Sequence, residues 1–397
     1  MTKHLEKSKE WLGRLISFDT TSRLSNLELI NDIEIYLNTL GIQTRLTHNS
    51  EKSKANLWCT IGPEEIGGIV LSGHTDVVPI DGQAWTKPAF KMTEKNGKLY
   101  GRGTSDMKGF CAILLAMAPE MKMRKLKTPI HFAFSYDEEV GCVGVRGLIS
   151  DVVENLPLPK AVIVGEPTLM KIVGGNKGGR AFRTTVKGVP GHSSEPSRGA
   201  NSIMAAARII NYIEDLQHEL ERQAKPDCVF DPPYTTFDLG VIEGGTANNI
   251  IPEYTHFNWG YRSLPSEDPN ILEQKIRLFI SKNIEPRLQA ISIQAGVTTE
   301  LRNDTPPLIP DHQSAAEHLI RHLTGLNDSG TVAFGTEAGL FQKAGIPGVI
   351  FGPGSIQQAH QPDEFIEVSQ ISECINFLNK LIDWAENNST ASTKAHI

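Results

Sequence analysis

The chain has little of what would place it in several large protein classes. Its five cysteines (Cys59, Cys111, Cys142, Cys228 and Cys374) are odd in number, far apart and form no C-x-x-C pair. Free thiols in a reducing cytoplasm are expected, so any metal would be held by histidine and carboxylate rather than thiolate. No apolar stretch approaches the roughly 20 residues that span a bilayer, and the first ten residues carry no apolar h-region of a secretory signal. Acidic residues outnumber basic ones, 46 to 39, for a net charge of −7. That balance excludes the basic stripe a nucleic-acid partner requires. The G-x-x-x-x-G-K-[ST] phosphate loop is missing, which leaves a nucleotide-binding reading without support. No internal repeat is visible.

What remains is a globular composition, 39% hydrophobic and 21% charged over 397 residues, long enough for two domains at about 100–200 residues each. Residues 5–41 carry helical spacing, and Met107–Pro119 reads as a helix stopped by its proline. Between about 55 and 170, strand-like runs alternate with helical ones, which predicts an α/β domain with a mixed, largely parallel sheet flanked by helices. A glycine cluster at 174–179 suits a hinge. Beyond it the order strand, helix, strand, strand, helix, strand predicts an inserted α+β, ferredoxin-like domain, with its last strand near 289–296. The expected plan is a catalytic domain of 1–178 and 298–387, an inserted domain of 179–297, and a polar, disordered tail from 388 to 397.

The chemistry sits at the ends of apolar runs. Ile69–Gly73 leads into His74 and Asp76, Pro129–Tyr136 into Glu138 and Glu139, and Ala161–Gly165 into Glu166. Unalternating β-rich runs read as buried parallel strands, and open α/β sheets bind ligands beyond the carboxyl ends of such strands. One sheet edge is therefore expected to gather these side chains into a metal-dependent site. Each has a plainer reading too. His74-x-Asp76 fits a ligand with its orienting carboxylate or a capping Asp beside a buried His. Asp106, after Gly101–Ser105, fits a ligand or an ordinary N-cap. Glu138-Glu139 fits a metal ligand beside a free base or a solvated acidic turn. His360 lies in a loop where histidine is usually exposed or hydrogen-bonded. A second group, His192, Asn248, Asn249 and Arg262, offers imidazole, amide and guanidinium to a carboxylate or oxyanion.

Read together, Ser72–Pro79 (SGHTDVVP), Gly101–Gly109 (GRGTSDMKG), Asp137–Glu139, Gly165–Pro167, Gly191–Ser194 and Ala359–Glu364 (AHQPDE) resemble the M20 family of metal-dependent amidohydrolases and peptidases. The segments occur in order across nearly the whole chain. Within the family, Asp81–Trp85, Glu195–Asn201 and Gly352–Ile356 are most similar to the acetylornithine deacetylase branch. The resemblance implies two divalent metal ions, zinc or in some cases cobalt. His74, Asp106 and Glu166 would hold one, and Asp106, Glu139 and His360 the other. It implies that Asp76 orients His74, that Glu138 is the general base, and that Lys177 and Arg262 meet a substrate carboxylate. It further implies a homodimer in which His192 and one of Asn248 or Asn249 reach the partner's site. Gly260 departs from the family pattern, which has an aspartate two residues before the arginine. The expected substrate is a small N-acyl amino acid, with N2-acetyl-L-ornithine foremost. The alternatives are a related desuccinylase, aminoacylase or carboxypeptidase, or a metal-binding homologue that has lost catalysis. Neither nucleic acid nor membrane is expected as a partner.

Overall fold

The structure, a computed structural model, describes residues 2–389; nearly all of the tail expected to be disordered lies outside that range. Contacts divide the chain into two compact units. Of the described residues, one comprises 2–175, Leu308–Gly330 and 336–389; the other is Asn176–Pro307 with Thr331–Gly335.

The first unit is built on an eight-stranded sheet. Its strands are β1 (Thr44–His48), β2 (Ala55–Ile61), β3 (Ile69–His74), β4 (Ile130–Ser135), β5 (Ala161–Val164), β6 (Ile172–Asn176), β7 (Ser329–Val332) and β8 (Gly348–Ile350), in the order β1-β2-β4-β3-β5-β8-β6-β7. The central strands β4, β3, β5 and β8 are parallel, while β1 and β2 join one side antiparallel and β6 the other. All residues of β3, β4, β5 and β8 are buried, the two-sided burial that makes their sequences apolar without alternation.

Helices Thr2–Ile16, Lys108–Met123 and Val368–Asn387 pack into the main core with that sheet. The first helical stretch is broken into two, Thr2–Ile16 and Leu27–Thr39. The helix expected to stop at Pro119 continues to Met123. A proline there removes the N–H that would meet the carbonyl of Leu115. The Tyr36 hydroxyl donates to that carbonyl instead, at 3.2 Å, so tertiary packing satisfies the group the proline orphaned.

The second unit has a four-stranded antiparallel sheet. Thr236–Gly244 lies at one edge, then Tyr254–Ser263, then Gly178–Lys187, with Gly296–Thr305 at the other edge. Helices Ser202–Arg222 and Pro269–Phe279 pack on it around Phe182, Phe257, Trp259 and Tyr261. Chain order and sheet order are those of the split βαβ sandwich. Its fourth strand falls at Gly296–Thr305 rather than near 289–296, because Gly178–Lys187 pairs along nearly its full length with it. Ile291 and Ile293, the apolar signal for the expected strand, are exposed. The first unit accordingly resumes at Leu308, not near Thr298. The glycine cluster is strand and not loop, being divided between Ile172–Asn176 and Gly178–Lys187.

Candidate active site

Adjacent parallel strands bring the sequence-distant acids together. In register, His74 lies opposite Ser135 and Ser72 opposite Val164. The residues just beyond β3, β4 and β5 therefore share one edge. Gly165 is needed there, since a Cβ would lie 2.1 Å from the Phe110 ring. Two loops complete the site, one ending in Asp106 and the other carrying His360.

Asp106 is not a helix cap: Met107 occupies that position, with no side-chain capping bond. Asp106 Oδ1 instead lies 2.9 Å from His74 Nε2 and Oδ2 3.2 Å from His360 Nε2. Glu139 Oε2 is 2.9 Å from the same His360 nitrogen, and Glu166 Oε1 is 3.8 Å from His74 Nε2. Donor atoms of His74, Asp106 and Glu139 lie within 4.8 Å of one another, as do those of His74, Glu138 and Glu166. These triplets mix the two ligand sets expected from the sequence, because the acids crowd one small volume.

Asp76 does more than was expected of it, and by a different route. The His74 Nδ1 contact at 2.9 Å is to the main-chain oxygen of Asp76, with the carboxylate at 3.6 Å. The carboxylate itself accepts the main-chain N–H groups of Glu138 (3.1 Å) and Glu139 (3.3 Å) and the Ser22 hydroxyl (2.6 Å). It thus fixes the turn presenting both glutamates, a turn that begins at Asp137 with φ of 55° and is tied by Lys54 Nζ at 2.5 Å.

The electrostatics are those of a site built for cations. Burial pushes Glu139 up to about 7, with the charge of Asp106 adding to it. Glu138 and Glu166 are pushed well up, again chiefly by burial. Burial opposes a charged His74, but the Asp106 bond and nearby carboxylates outweigh it and hold the ring well above its ordinary value. Bonds to Asp106 and Glu139 raise His360 to about 10. Among the described residues, Glu139 Oε1 is buried with no hydrogen-bond partner, a costly arrangement for a carboxylate oxygen. An oxygen-rich set with two imidazoles and an orphaned carboxylate oxygen fits divalent cations.

Three supporting acids or bases were given no role by the sequence reading, although Arg102 and Glu364 lie in its family segments. Glu364 accepts from Arg102 Nη1 (2.8 Å) and from the main-chain N–H of Gly103, Ser105 and Asp106 (3.0, 2.8 and 3.1 Å). It therefore ties the His360 loop to the Asp106 loop. Arg102 also bonds Gln83, whose amide donates to the His360 carbonyl at 2.9 Å. His360 needs such support, because its φ of 63° is unfavourable for a residue with a side chain. Glu337 lies beneath the strand ends, accepting from Ser72 Oγ at 3.1 Å and from Ser135 Oγ. The one available signal was a serine near the end of each of two apolar runs.

In the second unit, His192 and the 245–249 loop are neighbours: His192 pairs with Ile250, and Ser193 N–H donates to Asn249 O at 3.1 Å. Ser194 meets His192 Nδ1 twice, through its hydroxyl at 2.6 Å and its main-chain N–H at 3.2 Å, so Nε2 is the ring nitrogen left to a ligand. Arg262 lies toward the other end of its strand, eight residues from Tyr254, or roughly 27 Å at the usual rise. Arg262 pairs there with Thr236 and Gly179, whereas His192 pairs with Ile250. Lys177, expected to meet a substrate carboxylate, is buried and its Nζ donates to Tyr234 O at 2.6 Å.

A parallel-cored sheet with histidines and carboxylates at its carboxyl edge defines a metallohydrolase. The chain belongs to peptidase family M20/M25/M40, whose profile matches residues 70–384. Among curated relatives it is 35% identical over 369 residues to acetylornithine deacetylase of Pasteurella multocida strain Pm70, covering 92% of this chain and 93% of that one. Its fold matches a tripeptidase of Staphylococcus aureus at a TM-score of 0.74 and 19% identity, covering 97% and 99% of the two chains. It also matches a dinuclear metal-binding M20 peptidase of Bacillus subtilis at 0.65 and 17%, covering 96% and 98%. The protein is a hydrolase acting on amide bonds.

Proposed function

We propose that this protein removes the acetyl group from N2-acetyl-L-ornithine, giving L-ornithine and acetate, a step of arginine biosynthesis in the cytoplasm. The observation that carries the two-metal reading is Asp106, whose two carboxylate oxygens face two different imidazoles. His74, Asp106 and Glu166 would hold one divalent ion, and Asp106, Glu139 and His360 the other, with zinc favoured and cobalt accepted. When bound, such ions lower the pKa of water and polarise the scissile carbonyl. Glu138 takes the proton of the attacking water and returns it to the leaving amine. Asp76 holds the turn that aims Glu138. His192 stabilises the developing oxyanion through Nε2, worth about 3–4 kcal/mol for one well-placed donor, with Asn248 or Asn249 beside it. These reach the partner's site in a homodimer. Exposed Leu239, Val241 and Ile242 on the edge strand Thr236–Gly244 support that assembly. Arg262 is the substrate-carboxylate contact; Lys177 takes that role only if its amine leaves Tyr234.

The test is acetate release from N2-acetyl-L-ornithine, N-acetylmethionine and N-succinyl-diaminopimelate, by protein stripped with a chelator and then given zinc or cobalt. Activity that disappears and returns with metal, highest on acetylornithine, is expected. Equal or better turnover of another substrate would overturn the substrate assignment and leave the metallohydrolase. The Glu138→Gln variant should lose about 10²–10⁴-fold in kcat at full metal content.

A further inference from the structure

Among the described residues, the Glu138 carboxylate has one hydrogen-bond donor, the thiol of Cys142, with Sγ 3.3 Å from Oε1. The contact is made by a tight turn. The N–H groups of Gly141 and Cys142 both donate to Glu138 O, at 2.9 and 2.8 Å, which folds residue 142 back over residue 138. Cys142 adopts a φ of 54° to do so, a left-handed conformation that glycine enters without the penalty a Cβ brings. The position therefore carries a side chain at a conformational cost. The thiol is 2% exposed, and burial with the charge of Glu138 holds its pKa well up, so the sulfur keeps its proton and acts as a donor.

We propose that Cys142 is a positioning residue: its S–H pins Glu138 Oε1, leaving Oε2 free to carry the proton between water and leaving amine. This rests on the reading of Glu138 as the base. Asp76 fixes the main chain of that residue, and the thiol fixes its side chain.

Metal-loaded Cys142→Gly, Cys142→Ala and Cys142→Ser separate this role from a packing role. Glycine relieves the left-handed strain and removes the donor, so Cys142→Gly should fold at least as stably as the parent. Its kcat should nonetheless fall about tenfold, the worth of one hydrogen bond to a charged group, at unchanged KM and metal content. Cys142→Ala should lose a similar factor, and Cys142→Ser, which restores a donor, should recover most of it. In a Glu138→Gln background, Cys142→Ala should lower the residual rate no further. Parental kcat in the glycine and alanine variants, or equal losses in both backgrounds, would overturn the proposal. The contact is read separately in the infrared, from the S–H band in the difference between parent and Cys142→Ala. That band should move toward the free-thiol frequency in Glu138→Ala, and a band that stays put would overturn the contact. If Glu138→Gln keeps full activity while the band moves, the contact stands and the assignment of the base falls.

Discussion

Replacing Glu364 with alanine removes the acceptor of four hydrogen bonds at once, three from the main chain of the Asp106 loop and one from Arg102. Arg102 and Glu364 are each 1% exposed, so water cannot take the vacated place without reorganising the site. Removing one partner of a buried ion pair costs roughly 3–5 kcal/mol, because the other charge is left without compensation. The three orphaned N–H groups add to this, though not additively, since they share one carboxylate. Against a total stability of about 5–15 kcal/mol, this is a large fraction. The urea midpoint of metal-free Glu364→Ala should fall markedly, followed by fluorescence of the buried tryptophans. Glu364→Gln, which keeps the volume and one acceptor, should fall in between. Because Glu364 joins the loops of Asp106 and His360, calorimetric titration of the metal-stripped protein with zinc should find weaker binding than in the parent. An unchanged midpoint would refute the buried-pair energetics. A lowered midpoint with unchanged zinc binding would refute the positioning role.

Three further outcomes are expected. Stripping the metals should lower the thermal midpoint, since ligands at 100 times Kd add about 2.7 kcal/mol; an unchanged midpoint in calorimetry would show that the acids do not need a cation. His131 is buried, its Nε2 accepting from Gly68 N–H at 3.2 Å and its Nδ1 3.0 Å from Thr60 Oγ1, and burial lowers its pKa to about 3. The unfolded chain therefore takes the proton first. The stability this represents is fully present above about 6.5 and is lost as pH falls toward 3, by about 1.4 kcal/mol per unit. His131→Gln should flatten the acid limb of a urea-midpoint profile, and an identical limb would refute that pKa. Mixing His192→Ala with Glu138→Ala chains should restore some activity if sites are shared between subunits, and none in mixed dimers shown to form would refute the sharing.

The sequence by itself determined the parts of the site that depend on strand ends. His74, Glu138, Glu139 and Glu166 were legible because buried parallel strands must be apolar throughout, so a polar residue where a run stops marks the sheet edge. The second unit's fold was legible because its element order admits few packings, although its last strand lay several residues beyond its apolar signal. Only the tertiary structure decided what holds these groups. Glu364, though inside a family segment, and Glu337 carry no role in the sequence until packing sets them against loops and strands some 260 residues away. Pro119 reads as a stop until Tyr36 answers its orphaned carbonyl. The family resemblance gives Lys177 a substrate role, and only the fold sets its amine on the Tyr234 carbonyl; Cys142 reads as a spare thiol until a left-handed turn lays it on Glu138. Local pattern records burial and periodicity. It carries no trace of which distant donor meets which acceptor, because that is fixed only when the chain closes on itself.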